Sequence, residues 1–294
     1  MSMINIDIRM PTDQTRRRFI ATTGIASVAA LAGCAGNGDG GDGGDGSEED
    51  GGDGGGTANR LSWHAGGTGG TYFPLSNEIK TIVEANTDFS LNVQSTGASV
   101  ENVGSLSDGS ADFALIQNDI ASFAKNGTGI DAFEGSPIES LQGVATLYPE
   151  TITLVTLAGN DISTIDDLSG ATINTGDLGS GTQVNANQIL ESAGISDYNE
   201  QNAGFSQASE QLANGDIDAA FVVGGWPVGA IEDLANTNDV EIVPIDGETR
   251  ETIKSDASWF ANDTIPGGTY SGVEEAVETV AVQAMIATHS GVDA

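Results

Sequence analysis

Cysteine is almost absent from this sequence. Cys34 is the only one in 294 residues, so no disulfide can form within one chain and the fold rests on its core. Cations are nearly as scarce, with 9 Lys and Arg against 43 acids and a net charge of −34. Nucleic-acid binding needs a basic footprint to neutralise phosphates, and none exists here. The only histidines are His64 and His289, and neither has a partner at metal-ligand or catalytic-triad spacing; both read as structural. Long apolar runs are missing too: the longest, within "FIATTGIASVAALAG", is roughly 15 residues and too soft for a stable membrane span.

The N-terminal residues carry a different signal. "TRRRFIATTGIASVAALAGC" places twin arginines, Arg16 and Arg17, before a mild apolar stretch, the pattern of an export signal for folded cargo. "LAGC" resembles a lipobox, in which Cys34 becomes the lipidated first residue; the alternative is an ordinary small residue near the end of a signal peptide. Residues 35–59 are almost only Gly and Asp, cannot bury a core and read as a self-repelling tether. The expectation is a globule held at the outer face of a membrane by a lipid anchor alone.

Beyond the tether the acid excess persists. Only Arg60, Lys80, Lys125, Arg250 and Lys254 oppose the acids that follow residue 59. The acids are scattered rather than patched, as in a surface adapted to very high salt, where screening shortens the reach of self-repulsion. The composition resembles haloarchaeal proteins.

From Arg60 onward strand-like and helix-like segments alternate, which predicts an α/β fold with parallel sheets covered by helices. "RLSWHA", "FSLNVQST" and "ADFALIQ" read as strands, with helices between and after them. "LQGVATLYPETITLVTLAG" reads as a long extended segment broken at Pro149. A second series follows, and it echoes the first. "LSDGSADFA" (106–114) and "LANGDIDAA" (212–220) share a pattern in which a helix ends at Gly109 or Gly215 and Asp112 or Asp218 precedes a buried strand. The Gly/Thr-rich turns "HAGGTGGTY" and "GDLGSGTQ" stand upstream of these echoes in the same order. Two similar α/β lobes follow from that.

Each turn lies between a strand and a helix, where backbone N–H groups without intrahelical partners suit an anion. Thr68, Thr71, Ser180 and Thr182 add hydroxyls that could cap a helix or touch a ligand. "STGAS" (95–99) is a third turn of the same chemistry, and no Lys or Arg lies in any of them. If the ligand carries a carboxylate or phosphate, backbone N–H and hydroxyl groups must carry most of its recognition. "GGTGG" lacks the Gly-Lys-Ser/Thr of a P-loop, and the dinucleotide setting is incomplete. A hydrolase built on Ser180 or Ser99 has no placed histidine base, and an interaction module that binds no small molecule is a further alternative.

Seven motifs in order, "GGTGGTYFPL", "STGASVENV", "DFALIQND", "LYPETITLV", "GDLGSGTQVNANQIL", "GDIDAAFVVGGWP" and "TIPGGTY", resemble the TAXI solute receptors of TRAP transporters over roughly residues 60 to 290. The resemblance implies a two-lobed periplasmic-binding-protein-like (type II) clamp without enzymatic activity or cofactor. Such receptors deliver small organic acids, such as glutamate or 2-oxoglutarate, to a membrane permease. With the signal peptide expected at 1–33 and lipidated Cys34 and tether at 34–59, the globule is expected to divide into lobe 1 at 60–153, lobe 2 at 154–256 and a return to lobe 1 at 257–294. Hinge crossings are expected near 148–156 and 257–268. Residue by residue, the resemblance puts Gly67, Thr68 and Tyr72 on a first ligand loop and Thr96 and Ser99 on a second. Gln117 and Asn118 lie at the edge of the third strand, and Tyr148 near the crossing. Ser180, Gly181 and Thr182 form the anion turn of the second lobe, with Gly225 and Trp226 closing the pocket. Trp226 departs from the smaller residues expected there and implies a smaller or flatter pocket. Family members continue past "MIATHSGVDA", so truncation or a thinner C-terminal cover is expected. The rival reading of the same clamp is a phosphate or oxyanion receptor of an ABC importer.

Overall fold

A computed structural model describes residues 59–292; the twin arginines, Cys34 and the Gly/Asp-rich stretch lie outside them. The chain runs twice through one pattern. The first pass is β1 (Asn59–His64), α1 (Tyr72–Asn86), β2 (Phe89–Gln94), α2 (Ser99–Asp108), β3 (Phe113–Gln117) and α3 (Asn118–Asn126). The long strand β4 (Leu141–Leu157) leads into the second: β5 (Thr172–Asn174), α4 (Gly181–Ser192), β6 (Asn199–Gln201), α5 (Phe205–Asn214), β7 (Ala219–Gly224) and α6 (Gly229–Ala235). β8 (Val240–Val243), α7 (Gly247–Asp256), β9 (Ala261–Ile265) and the long β10 (Val277–His289) complete the described chain.

The helices form where apolar residues recur at helical spacing. In α2, Val103 and Leu106 are buried together with Asn102, and the helix stops at Gly109 in the left-handed region (φ 78°). α5 buries Ala208 and Leu212 and stops at Gly215 in the same conformation (φ 74°). A residue with a Cβ meets a steric penalty there that glycine does not, which is how both echoed helices end at the same point of the pattern.

The strands make one sheet in the order β2-β1-β3-β10-β4-β7-β5-β6, with β8 beside β4 and β9 beside β10. Within each repeat the three short strands are parallel: β1 lies between β2 and β3, and β5 between β6 and β7. The sheet as a whole is mixed, because β4 and β10 run antiparallel to their neighbours. The fold is α/β, as expected, and the two short-strand orders match (β2-β1-β3 and β6-β5-β7).

Three local expectations are corrected. β4 is continuous through Pro149 rather than broken there. Proline has no N–H to give a ladder, and it sits opposite Gln283, next to a register shift in β10. The N–H of Gln283 donates instead to Asn118 Oδ1 at 2.8 Å. The second crossing is not at 257–268, because Ala257, Phe260 and Ile265 pack in the cores of the second repeat. It runs along β10, where Val280 and Val282 pack with Ile189 and Phe221 while Ala284 packs with Trp63 and Leu115. Finally, "STGAS" does not offer α2's first turn to a ligand, since the Val100 and Glu101 N–H groups both donate to Gly179 O at 3.2 Å.

Candidate ligand-binding site

A cavity of about 70 Å³ lies where the two repeats face each other. At about 10–15 Å³ for each water, that is room for about five waters, each about 30 Å³ of liquid, which is the scale of a small organic acid. The N-terminal ends of α1, α4 and α5 meet at it, through Thr71 and Tyr72, Gly181 and Thr182, and Gly204 and Phe205. The first N–H groups of a helix have no intrahelical acceptor, so each end carries partial positive charge toward the cavity.

Local sequence sets these ends. Ser180 caps α4, its Oγ accepting from the Gln183 N–H at 3.0 Å, which leaves the Gly181 and Thr182 N–H groups nearer the cavity. Gly176 makes the preceding turn with φ +107°, and a Cβ there would stand 2.7 Å from the Thr182 side chain. Thr71 does not cap α1; its hydroxyl donates to Gly225 O at 3.0 Å, tying the first turn to the end of β7. Ala98 takes φ 72° and ψ −140° at the start of α2, a region nearly reserved for glycine, and lines the cavity.

The repeats are joined on both sides of the cavity. Gly179 O accepts from α2, Gly69 O accepts from the Ala230 N–H at 3.1 Å, and Asn185 Nδ2 donates to Asp119 Oδ2 at 2.8 Å. These bonds run from the first repeat to the second, so the geometry is that of a clamp drawn shut.

Of the residues expected from sequence, Gly67, Tyr72, Thr96, Ser99, Gln117, Ser180, Gly181 and Thr182 line the cavity. Thr68 is exposed and outside the lining. Asn118 is engaged with β10 instead. Tyr148 lies behind the wall with its ring against Gly225, and it is Gly224 that reaches the cavity. Trp226 is 42% exposed and does not close the site. Thr96 and Ser99 are partly engaged elsewhere: the Thr96 hydroxyl donates to Asn102 Oδ1 at 2.7 Å, and Ser99 Oγ accepts from the Gln117 N–H at 3.2 Å.

Sequence reasoning missed the most unusual group, Glu150. It is 2% exposed on β4 and lines the cavity. Its carboxyl accepts from the Tyr72 hydroxyl on one oxygen and from Gln117 Nε2 at 3.1 Å on the other. Burial pushes its pKa up to about 8, the two hydrogen bonds hold it down, and Asp119 adds to the rise. The same burial, with Glu150 beside it, drives the Tyr72 hydroxyl well above its usual range. Among the described residues Gln117 Oε1 is buried with no hydrogen-bond partner, lying over Gly181 so closely that a Cβ there would overlap it. Asp177, also missed, adds a second acid to the lining, and no Lys or Arg belongs to it. The sequence signal for Glu150 is its place at the head of the apolar strand "TITLV", where an acid is drawn into the core and needs donors.

Among the described residues no group of three or more His, Cys, Asp or Glu could hold a metal ion. No described helix is long and apolar enough to cross a membrane.

A mixed sheet, two βαβαβα repeats and a cavity between them define the periplasmic-binding-protein-like class of α/β folds. The ancestral arginine-binding protein bound to arginine superposes with a TM-score of 0.50 at 14% identity, over 79% of this chain and 85% of that one. The effector-binding domain of QuiR in complex with shikimate gives 0.50 at 10% identity, over 81% and 90%. The alkanesulfonate-binding protein SsuA from Xanthomonas axonopodis pv. citri, bound to MOPS, gives 0.49 at 15% identity; the match covers 79% of this chain and 66% of that one. The NMT1-like family matches residues 64–294, and the chain belongs to that family.

Proposed function

We propose that this chain is an extracytoplasmic solute receptor that closes its two lobes on a small organic acid, glutamate and 2-oxoglutarate being the types, and hands it to a TRAP permease. The observation that carries the reading is the cavity between the repeats, with three helix N-termini directed at it and hydrogen bonds closing it on both sides. The anion would lie against the Gly181 and Thr182 N–H groups, with Ser180, Thr96 and Tyr72 around it and Gly67 at the mouth. Closure is driven only by the difference in affinity between open and closed states, which the helix ends supply when they converge. In this reading twin-arginine export and lipidation of Cys34 keep the receptor at the membrane, and the acidic surface suits high salt.

A thermal-shift screen of the chain in molar KCl, against carboxylates, amino acids, phosphate and sulfonates, tests it. Native-state binding at a hundredfold excess over Kd adds about 2.7 kcal/mol. A shift with small carboxylates supports the receptor, a shift with phosphate alone moves the reading to an ABC-importer oxyanion receptor, and silence across the panel rejects both.

A further inference from the structure

The cavity is rich in acceptors that no cation answers. Gln117 Oε1 is buried in its wall without a partner. Beside it the Glu150 carboxyl has its two protein donors, Tyr72 and Gln117 Nε2, and no Lys or Arg. Asp177 lines the same space. An acid that brought only carboxylates would leave these acceptors without a donor, which is costly in a site closed to water. Next to Gln117 Oε1, which lies over Gly181, the first turn of α4 presents N–H groups and the positive end of its dipole. Acceptors and donors thus meet side by side in one cavity, as the neighbouring ammonium and carboxylate of an α-amino acid do.

We infer that the ligand is an α-amino acid zwitterion, its ammonium donating to Glu150 and Gln117 Oε1 and its carboxylate lying on the first turn of α4. Glu150 is then the residue that separates amino acids from their keto-acid counterparts. The inference rests on the receptor reading and narrows it. It also carries a proton balance. The groups facing Glu150 are Tyr72 from α1, Tyr148 from its own strand and Asp119 from α3, with exposed Asp177 elsewhere in the lining; none is a cation. With its proton held to about pH 8, Glu150 is neutral at pH 7 before binding. The incoming ammonium takes over the compensating role, and the carboxyl proton leaves to solvent. Binding at pH 7 therefore releases close to one proton.

The test is calorimetry on the full chain in molar KCl with matched pairs, glutamate against 2-oxoglutarate and alanine against pyruvate, in two buffers of different ionisation enthalpy. The expected result is a preference for the amino member of roughly ten- to hundredfold, the range of a hydrogen bond to a charged group. It comes with proton release at pH 7 and with affinity that rises with pH until about 8. Glu150→Gln should lose most of the preference and the pH dependence; the native-chain pairs give the answer even if that variant folds poorly. Binding of the keto acids as tightly as the amino acids, or proton uptake on binding, overturns the inference and leaves the receptor standing. Silence with every probe overturns both.

Discussion

Asp112 and Asp218 make the same set of contacts in the two repeats. Each Oδ2 accepts the backbone N–H of the first strand's neighbouring residue, Ser62 or Thr172, at 2.7 Å. Each main-chain N–H donates back to that residue's carbonyl, at 3.0 and 2.8 Å. Each carbonyl accepts a threonine hydroxyl from a long strand, Thr288 of β10 or Thr156 of β4, at 2.7 Å. A hydrogen bond to a carboxylate contributes about 1.5–3 kcal/mol. Asp112→Ala and Asp218→Ala should therefore each lower stability by about 2 kcal/mol in a denaturant titration. The double variant should lose close to the sum, because the two sites share no partner.

Gly176 should not tolerate a side chain. Its φ is +107°, and an added methyl group would stand 2.7 Å from Thr182, so alanine has no relaxed position there. Gly176→Ala is expected to lower stability by about 1–3 kcal/mol and to weaken ligand binding through displacement of the α4 turn. Thermal midpoints with and without glutamate measure both effects.

Ala98 gives the opposite expectation. Its backbone lies where only glycine is relaxed, so Ala98→Gly should raise the thermal midpoint, the relief of about 1–3 kcal/mol of strain outweighing the added freedom of the unfolded chain.

Stability should fall as pH rises from mildly acid to neutral and beyond. Asp119 is 1% exposed, and burial raises its pKa from 3.8 to about 6; Glu150 is raised from 4.5 to about 8. A carboxyl whose folded pKa lies above its unfolded value stabilises most when protonated, and that contribution disappears as pH climbs through the folded pKa. Asp119 accounts for a change on the order of 3 kcal/mol between about pH 4 and 6, and Glu150 extends the decline toward about 8. Melting in molar salt across this range should show the fall, and Asp119→Asn should remove its lower part. Asparagine can still pair with Asn185, whose Oδ1, like Asp119 Oδ1, is buried without a partner.

Much of this was readable from residue order. The paired echoes around Asp112 and Asp218 are spaced by the helix that precedes each strand, so pattern alone located the repeats and their glycine stops. The Gly/Thr turns likewise announced where helices begin, and most of the residues chosen from them line the cavity. What pattern could not give was the use each donor is put to. "STGAS" has the chemistry of an anion turn, yet its helix directs its first N–H groups to Gly179, a residue far along the chain. Trp226 and Thr68 flank site residues but lie outside the lining, since neighbours on a turn need not share a direction. Glu150 was hidden for a related reason: its burial comes from Tyr72 and Gln117, whose approach depends on strand pairing across the sheet.

Pro149 has a mechanical meaning. β4 and β10 are the two strands that carry the chain between the repeats, and at Pro149 their ladder lacks a rung, while Gln283 opposite has turned its N–H to Asn118. A second register shift lies between Ile286 and Ala287, so the crease at Pro149 is the irregularity beside the cavity rather than the sheet's sole break. Opening and closing would then resemble the folding of a scored card, with the score line one residue from Glu150. In the proposed receptor, a ligand seated on that glutamate would act at the axis of the fold, where a small push gives a wide swing of the two flaps.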